Sequence, residues 1–233
     1  MKTLHHPMNG TIVAHQNPVF DIPHKGIRYA LAQLSLLAGQ TDYCAYASVA
    51  KLHKLGKQVF RFLALHAEHE NEITFKYLDE RAPGATDHER DEHEYLEELQ
   101  HALEQQLEVI FILASEGQDV SDLGRQFYQR FSELHGLHLA HMLEEEREIE
   151  PLLHEYFSNE ELQAQRREII SKNKPEELLI MWRFMFPAHN HRTRVALLKA
   201  IKSGAPEPFF ASVLGMLQEV LSEKELAILI NTV

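Results

Sequence analysis

A histidine and a glutamate stand four residues apart twice in this chain, at His66 and Glu70 in HAEHENEITF and at His141 and Glu145 in HMLEEEREIEP. Residues i and i+4 lie one above the other on a helix, so each pair can bring an imidazole and a carboxylate to one metal ion or to two neighbouring ions. Carboxylates bridge two cations well and imidazoles terminate each of them. This mixture of nitrogen and oxygen suits iron, manganese or zinc and disfavours sulfur-loving metals. A lone histidine on an apolar stripe is ordinarily a hydrogen-bonded core residue. Here the motif recurs on two stripes, one reading Val59, Leu63, His66, Glu70, Ile73, Tyr77 and the other Phe127, Phe131, Leu134, His138, His141, Glu145, Ile149, Leu152. Two buried carboxylates resist ionisation through desolvation and mutual repulsion, and a pair of divalent cations supplies the countercharge.

Helices must position these residues, and the punctuation of the chain supplies them. Strand-like alternation is weak throughout, so the class is all-α. Helix A opens at Asp21 as N-cap, tolerates Pro23 in its first turn and stops at Gly39; its stripe is His24, Ile27, Leu31, Leu34, Ala38. Helix B begins after Thr41 and ends at Pro83 and Gly84, either as one helix or as two pieces broken near Gly56. Helix C opens on a capping box, Thr86 to Glu89, and carries the stripe His93, Leu96, Leu99, Leu103, Leu107, Ile110, with His88 off that face. Helix D runs from Ser121 to about Tyr156 and should kink near Pro151. The architecture expected is a four-helix up-and-down bundle over 21–157, preceded by an irregular leader at 1–20 and followed by a helical extension at 158–233. The extension carries Trp182, Met185, Phe186 and Phe209, apolar enough to pack on the bundle or on a second subunit, which makes a homodimer the expected assembly.

Composition narrows the chemistry. The chain has 233 residues, 44% of them hydrophobic, enough for a full-sized core. With 23 basic against 35 acidic residues its formal charge is −12, which disfavours nucleic acid and anionic membranes as partners. A single cysteine, Cys44, excludes an intramolecular disulfide and thiolate-built zinc or iron–sulfur sites. With no signal-peptide-like N-terminus and no run long enough to span a membrane, the expected location is cytoplasmic. Histidine is abundant, at 16 residues, and His5, His6, His53, His101 and His154 are expected to be solvated.

The ordered set, a histidine on helix A, HxxxE on B, a histidine on C and HxxxE on D, resembles the hemerythrin-like, or HHE cation-binding, family. The segments that carry it are PHKGIRYALAQL, HAEHENEITF, DEHEYLEEL and HMLEEEREIEP, over roughly residues 20 to 157, and the tail looks like the C-terminal extension of a bacterial subgroup. The resemblance implies a non-haem di-iron centre with Glu70 and Glu145 as bridging carboxylates, His66, His93 and His141 on one iron and His24 on the other. One position departs from the oxygen-carrying members, because the residue one turn after His93 is Glu97 rather than histidine. The iron near His24 then lacks a ligand. Asp42 is the first candidate to fill it, ahead of His69, His138 or water; His69 and His138 could instead orient a ligand carboxylate.

The function expected is a metal-ion-binding protein that engages O₂, nitric oxide or peroxide in sensing, detoxification or iron handling, with two iron ions as cofactor and zinc or manganese as possible substitutes. Two alternatives stand beside it. One is a di-metal oxidoreductase or hydrolase, although no catalytic residue outside the metal set is visible. The other is an acidic helical interaction module whose histidines take up metal adventitiously.

Overall fold

Loops at 41–45, 82–86 and 116–120 divide the first two-thirds of the chain into four long helical rods. They are resolved in a computed structural model that describes residues 18–233, so most of the expected leader lies outside the described residues. The first rod is α1 (Asp21–Gln40). The second is α2 (Tyr46–His69), continued through a π-helical turn (Glu70–Thr74) into α3 (Phe75–Arg81). The third is α4 (Asp87–Ser115), and the fourth is α5 (Ser121–Glu144), continued through a second π turn (Glu145–Ile149) into α6 (Glu150–Tyr156). No strand occurs among the described residues. α1 packs on α2 and α5, and α4 packs on the same two helices from the other side. The short connections make successive rods antiparallel, so the four close into an up-and-down bundle.

Local signals are mostly obeyed, with instructive exceptions. α1 starts at Asp21 rather than being capped by it, and it runs through Gly39 to Gln40. Gly56 does not break α2; a Cβ there would fall 2.3 Å from Cδ2 of Leu107, so the glycine lets α4 approach closely. The expected Thr86 box is not formed, because the Thr86 hydroxyl donates to Asp79 Oδ2 at 2.8 Å instead. Capping boxes are present instead at Ser158–Glu161 and Ser222–Glu225.

The π turns shift the buried stripes by one residue. Up to Glu70 and Glu145 the positions buried are those expected, but beyond them Leu78 is buried rather than Tyr77, and Leu153 rather than Leu152. A π turn inserts one residue into the α-helical ladder, which rotates everything after it. The new phase builds a second apolar cluster from Phe20, Phe75, Leu78, Ile149, Leu153 and Phe157. The main core, with Ile27, Leu31, Phe60, Leu63, Phe127 and Leu134, occupies the other side of the turns. Along each rod the polar candidates fall between these two layers.

The tail forms α7 (Asn159–Lys172), α8 (Pro175–Ala188), α9 (His191–Gly204), α10 (Glu207–Val220) and α11 (Glu223–Thr232). α8 lies on α1 and α2, with Phe184 stacked on Phe62 at 5.7 Å between ring centroids. Trp182, Met185 and Phe186 are buried by this contact, and Phe209 packs on Trp182. Of the two expectations for this segment, packing on the bundle or on a second subunit, the structure shows the first for α8, while Phe209 stays half-buried. No helix among the described residues is long and apolar enough to cross a membrane.

Candidate metal centre

Six side chains meet in the layer between the two apolar clusters. His24 comes from α1, His66 from α2, Glu70 from the first residue of one π turn, His93 from α4, His141 from α5 and Glu145 from the first residue of the other π turn. All six are buried, His24 and Glu145 completely. His66 Nε2 lies 3.1 Å from Glu70 Oε1, and His24 Nε2 lies 3.6 Å from the same oxygen and 3.3 Å from Glu145 Oε2. The other carboxylate oxygens face the opposite way: Glu70 Oε2 is 3.4 Å from His93 Nε2, and Glu145 Oε1 is 3.7 Å from His93 Nε2 and 3.3 Å from His141 Nε2. Two groups of donors result, one of His24, His66, Glu70 and Glu145, the other of His93, His141 and Glu145. The histidines divide two and two, whereas three on one side and His24 alone on the other was expected. His66 falls on the side of His24 because the two rings meet edge to face at 5.0 Å.

The ring orientations fix which nitrogen is offered. His24 Nδ1 pairs with Glu146 Oε1 at 2.9 Å, His93 Nδ1 with Asn71 Oδ1 at 3.0 Å, and His141 Nδ1 with Glu92 Oε2 at 2.8 Å. Each partner is an oxygen acceptor, so Nδ1 donates and Nε2 of the neutral ring keeps a lone pair aimed at the centre. Glu146 is itself gripped by both terminal nitrogens of Arg28, at 2.6 and 3.1 Å. Phe20 stacks on His24 at 4.8 Å and Phe75 on His93 at 5.4 Å, which restrains both rings from the smaller apolar cluster.

Lone pairs thus face carboxylate oxygens across the layer. Both oxygens of Glu70 and Glu145, and Nε2 of His24, His66 and His141, are buried without a hydrogen-bond partner. Buried polar atoms are almost always paired, and a concentration of unpaired carboxylate oxygens and imidazole nitrogens marks a place for cations. Without metal, protons take that place. Burial alone would lower the His24 pKa, but the carboxylates of Glu145, Glu146 and Glu70 around the ring hold it well above the usual histidine range. His141 is likewise raised to about 9 against its burial by Glu145 and Glu92. Burial and mutual repulsion oppose ionisation of Glu145, and burial opposes that of Glu70, yet the surrounding imidazoles hold both carboxylates below their ordinary values. The donor set fits metal binding.

The candidates for a further ligand separate clearly. Asp42 does not belong to the centre: it is exposed in the loop after α1, where Oδ1 accepts the backbone N–H of Cys44 at 3.0 Å. The rise of α1 from His24 carries the chain roughly 25 Å away from the site by that point. His69 turns outward and pairs through Nε2 with Asn173 of the tail at 3.1 Å. Neither His69 nor His138 hydrogen-bonds a candidate ligand carboxylate; Glu146, Asn71 and Glu92 orient the rings instead. His138 is buried, and burial, followed by the neighbouring imidazoles, lowers its pKa to about 3, which leaves the ring neutral. Among the histidines expected to be solvated, His53 is instead stacked on Phe111 at 4.1 Å and bonded to Glu108, and His154 is only 14% exposed in its side chain. His5 and His6 lie outside the described residues.

A pocket of about 330 Å³ opens between α2, α4 and α5 onto His66, His93 and His141. Its wall includes Leu63, Leu96, Met142, Gln100 and His138, and its exposed rim carries Arg61, Glu68, Glu72 and Glu97. Glu97, which stands where oxygen carriers have a histidine, is thus a rim residue and no ligand.

The family model described as the hemerythrin HHE cation binding domain matches residues 17–153. The chain belongs to this family. The HHE domain spans all four rods, and with the buried His/Glu cluster it fits a metal-binding protein. One similar relative is an Arabidopsis thaliana protein named zinc finger protein BRUTUS-like, 31% identical over 142 residues, or 59% of this chain. The match covers 11% of that relative's length. No solved structure matches the chain.

Proposed function

We propose that the HHE domain holds two iron ions, one at His24 and His66 and the other at His93 and His141, with Glu145 and Glu70 shared between them, and that the pair engages O₂, nitric oxide or peroxide. The observation that carries this reading is the convergence of two imidazoles on each side of Glu145, with both oxygens of Glu70 and Glu145 and Nε2 of His24, His66 and His141 buried and unpartnered. Each side offers at most four protein donors. A tetrahedral zinc ion would be saturated by four, whereas iron, which takes more, would retain positions for solvent or a small ligand. When bound, such a pair supplies redox and Lewis-acid chemistry.

The chain's own residues supply the rest. Glu146, Asn71 and Glu92 lock the rings, and Arg28 holds Glu146 in place. Phe20 and Phe75 cover two of the histidines, and the apolar layers leave the pocket between α2, α4 and α5 as the approach. A cytoplasmic location and a homodimer complete the proposal, with the dimer interface falling outside the buried face of α8.

Metal analysis and an optical spectrum of protein purified without a histidine tag test the reading. Two irons per chain, with ferric charge-transfer absorption, are expected, together with loss of both ions in a Glu70→Ala/Glu145→Ala double variant. Unchanged iron content in that variant, or a protein whose thermal stability ignores chelation, would instead indicate adventitious metal on an interaction module.

A second reading is favoured by the pocket, because about 330 Å³ is within the range of sites for small organic ligands and far exceeds a diatomic molecule. Under it the same pair would act as an oxidoreductase or hydrolase. Catalytic turnover abolished in a His66→Ala variant would establish that activity.

A further inference from the structure

The pocket that reaches the centre is lined, apart from the candidate ligands, by two buried polar side chains, Gln100 and His138. Gln100 is already committed, its amide donating to the Phe60 carbonyl at 3.1 Å and to Glu104 Oε1 at 2.8 Å. His138 is not. Its Nε2 is buried and has no hydrogen-bond partner. It stands three residues before His141 on α5, within the same pocket as His66, His93 and His141, yet it is outside both groups of converging donor atoms. A buried ring nitrogen without a partner is rare enough to require an explanation. In a pocket wide enough for a ligand, the natural explanation is a partner that arrives with that ligand.

The rim selects what arrives. Glu68, Glu72 and Glu97 are exposed there against a single cation, Arg61, and Arg61 is already paired with Glu177 of α8. Anions meet net repulsion at this mouth, while uncharged molecules do not. The wall beyond it, with Leu63, Leu96 and Met142, favours the same class.

We propose that His138 is a ligand-positioning residue, hydrogen-bonding through Nε2 to an uncharged, oxygen-bearing small molecule that enters between α2, α4 and α5 and reaches the centre beside His66, His93 and His141. The inference rests on the proposed iron pair and adds to it a named contact and a selected ligand class.

Nitric oxide added to the reduced, iron-loaded full chain is the probe, compared in the wild type, His138→Leu and His138→Gln. All three proteins should contain two irons. In His138→Leu the N–O stretching frequency should shift and dissociation should quicken about tenfold, the scale of one lost hydrogen bond. His138→Gln, which restores a donor of similar reach, should return both values toward the wild type. An unchanged stretch and rate in His138→Leu overturns the proposal. Loss of iron in both variants also overturns it, by making His138 a ligand. Should His138→Leu fail to fold, the glutamine variant and a third, His138→Phe, are read by the same two measurements. A wild-type protein that takes up no iron instead overturns the underlying reading of the centre, so the two failures are distinguishable.

Discussion

An imidazole becomes a good ligand when its other nitrogen is spoken for, and three of the four histidines here satisfy that condition through residues adjacent in sequence to another ligand. Asn71 follows Glu70, Glu146 follows Glu145, and Glu92 precedes His93. Each reaches across to a different rod. If Glu146 fixes the His24 ring, Glu146→Ala should weaken metal binding on the His24 and His66 side about 10- to 100-fold and leave the other side nearly unaffected. Competition with a chelator, resolved into two binding steps, measures this. Protonation gives a second expectation. With His24 held well above its ordinary range and His141 raised to about 9, the carboxylates around them favour the protonated form of both rings in the metal-free protein. A raised folded-state pKa stabilises the metal-free fold fully below the unfolded value of about 6.5, and that contribution is lost as pH rises through the folded value. Metal competes for the same Nε2 sites, so loading at pH 7 should release one proton from each ring, and affinity should tighten from pH 6 toward pH 9. Calorimetry in buffers of different ionisation enthalpy counts the protons; no release would contradict the assignment. The convergence of His66, Glu70, His141 and Glu145 was legible in the sequence because HxxxE recurs on apolar stripes, and that of His93 and His24 from their own stripes and the family resemblance. Their partners were not, since a residue next to a ligand points away from its own stripe and only the packing of the rods shows which ring it meets.

The rods themselves could be outlined from capping residues, prolines and glycines, but periodicity carries no sign of a π turn. Extending a step of three or four past Glu70 and Glu145 leads to Tyr77 and Leu152, whereas the structure buries Leu78 and Leu153. The offset matters to the candidate centre because each π turn begins at one of its carboxylates, so the helix is locally widened where the glutamate meets the histidines. It also brings Phe75 onto His93 and Leu153 into the smaller cluster. A direct test compares two adjacent leucines. Leu153→Ala should cost about 2–5 kcal/mol by leaving a cavity, while Leu152→Ala, at a partly exposed site, should cost markedly less. Chemical denaturation of the two variants reads the difference. Equal costs, or the reverse order, would mean that the simple helical stripe continues through the π turn.

At the scale of the molecule, a boundary near residue 157 looks natural from the sequence, where a capping box opens a series of shorter helices, and the family match also ends at residue 153. The extension packs tightly across that boundary, one of the two arrangements expected of it. α8 crosses α1 and α2 so closely that a Cβ on Gly26 would fall 2.9 Å from Met185 Cγ, and Phe62 of the bundle is fully covered with Phe184 stacked on it. The main core includes Leu178, Met181 and Phe186 from α8 together with Ile27 and Leu31 from α1. Sequence could not decide between this and a subunit interface, because a buried apolar stripe has the same composition whichever chain covers it. A fragment of residues 1–157 retains all six candidate ligands but uncovers the face of α1 and α2 that α8 occupies. Its apolar surface should drive self-association, and any soluble fraction should unfold at lower denaturant than the full chain. Iron should partly offset that loss, since ions bound by four rods stabilise only the folded state. Sedimentation and denaturant unfolding, each with and without iron, measure these effects. A monomeric fragment with the stability of the full chain would show that the tail is an appendage. The expected result makes α8 a fifth wall of the domain, holding in place the two rods that carry His24 and His66.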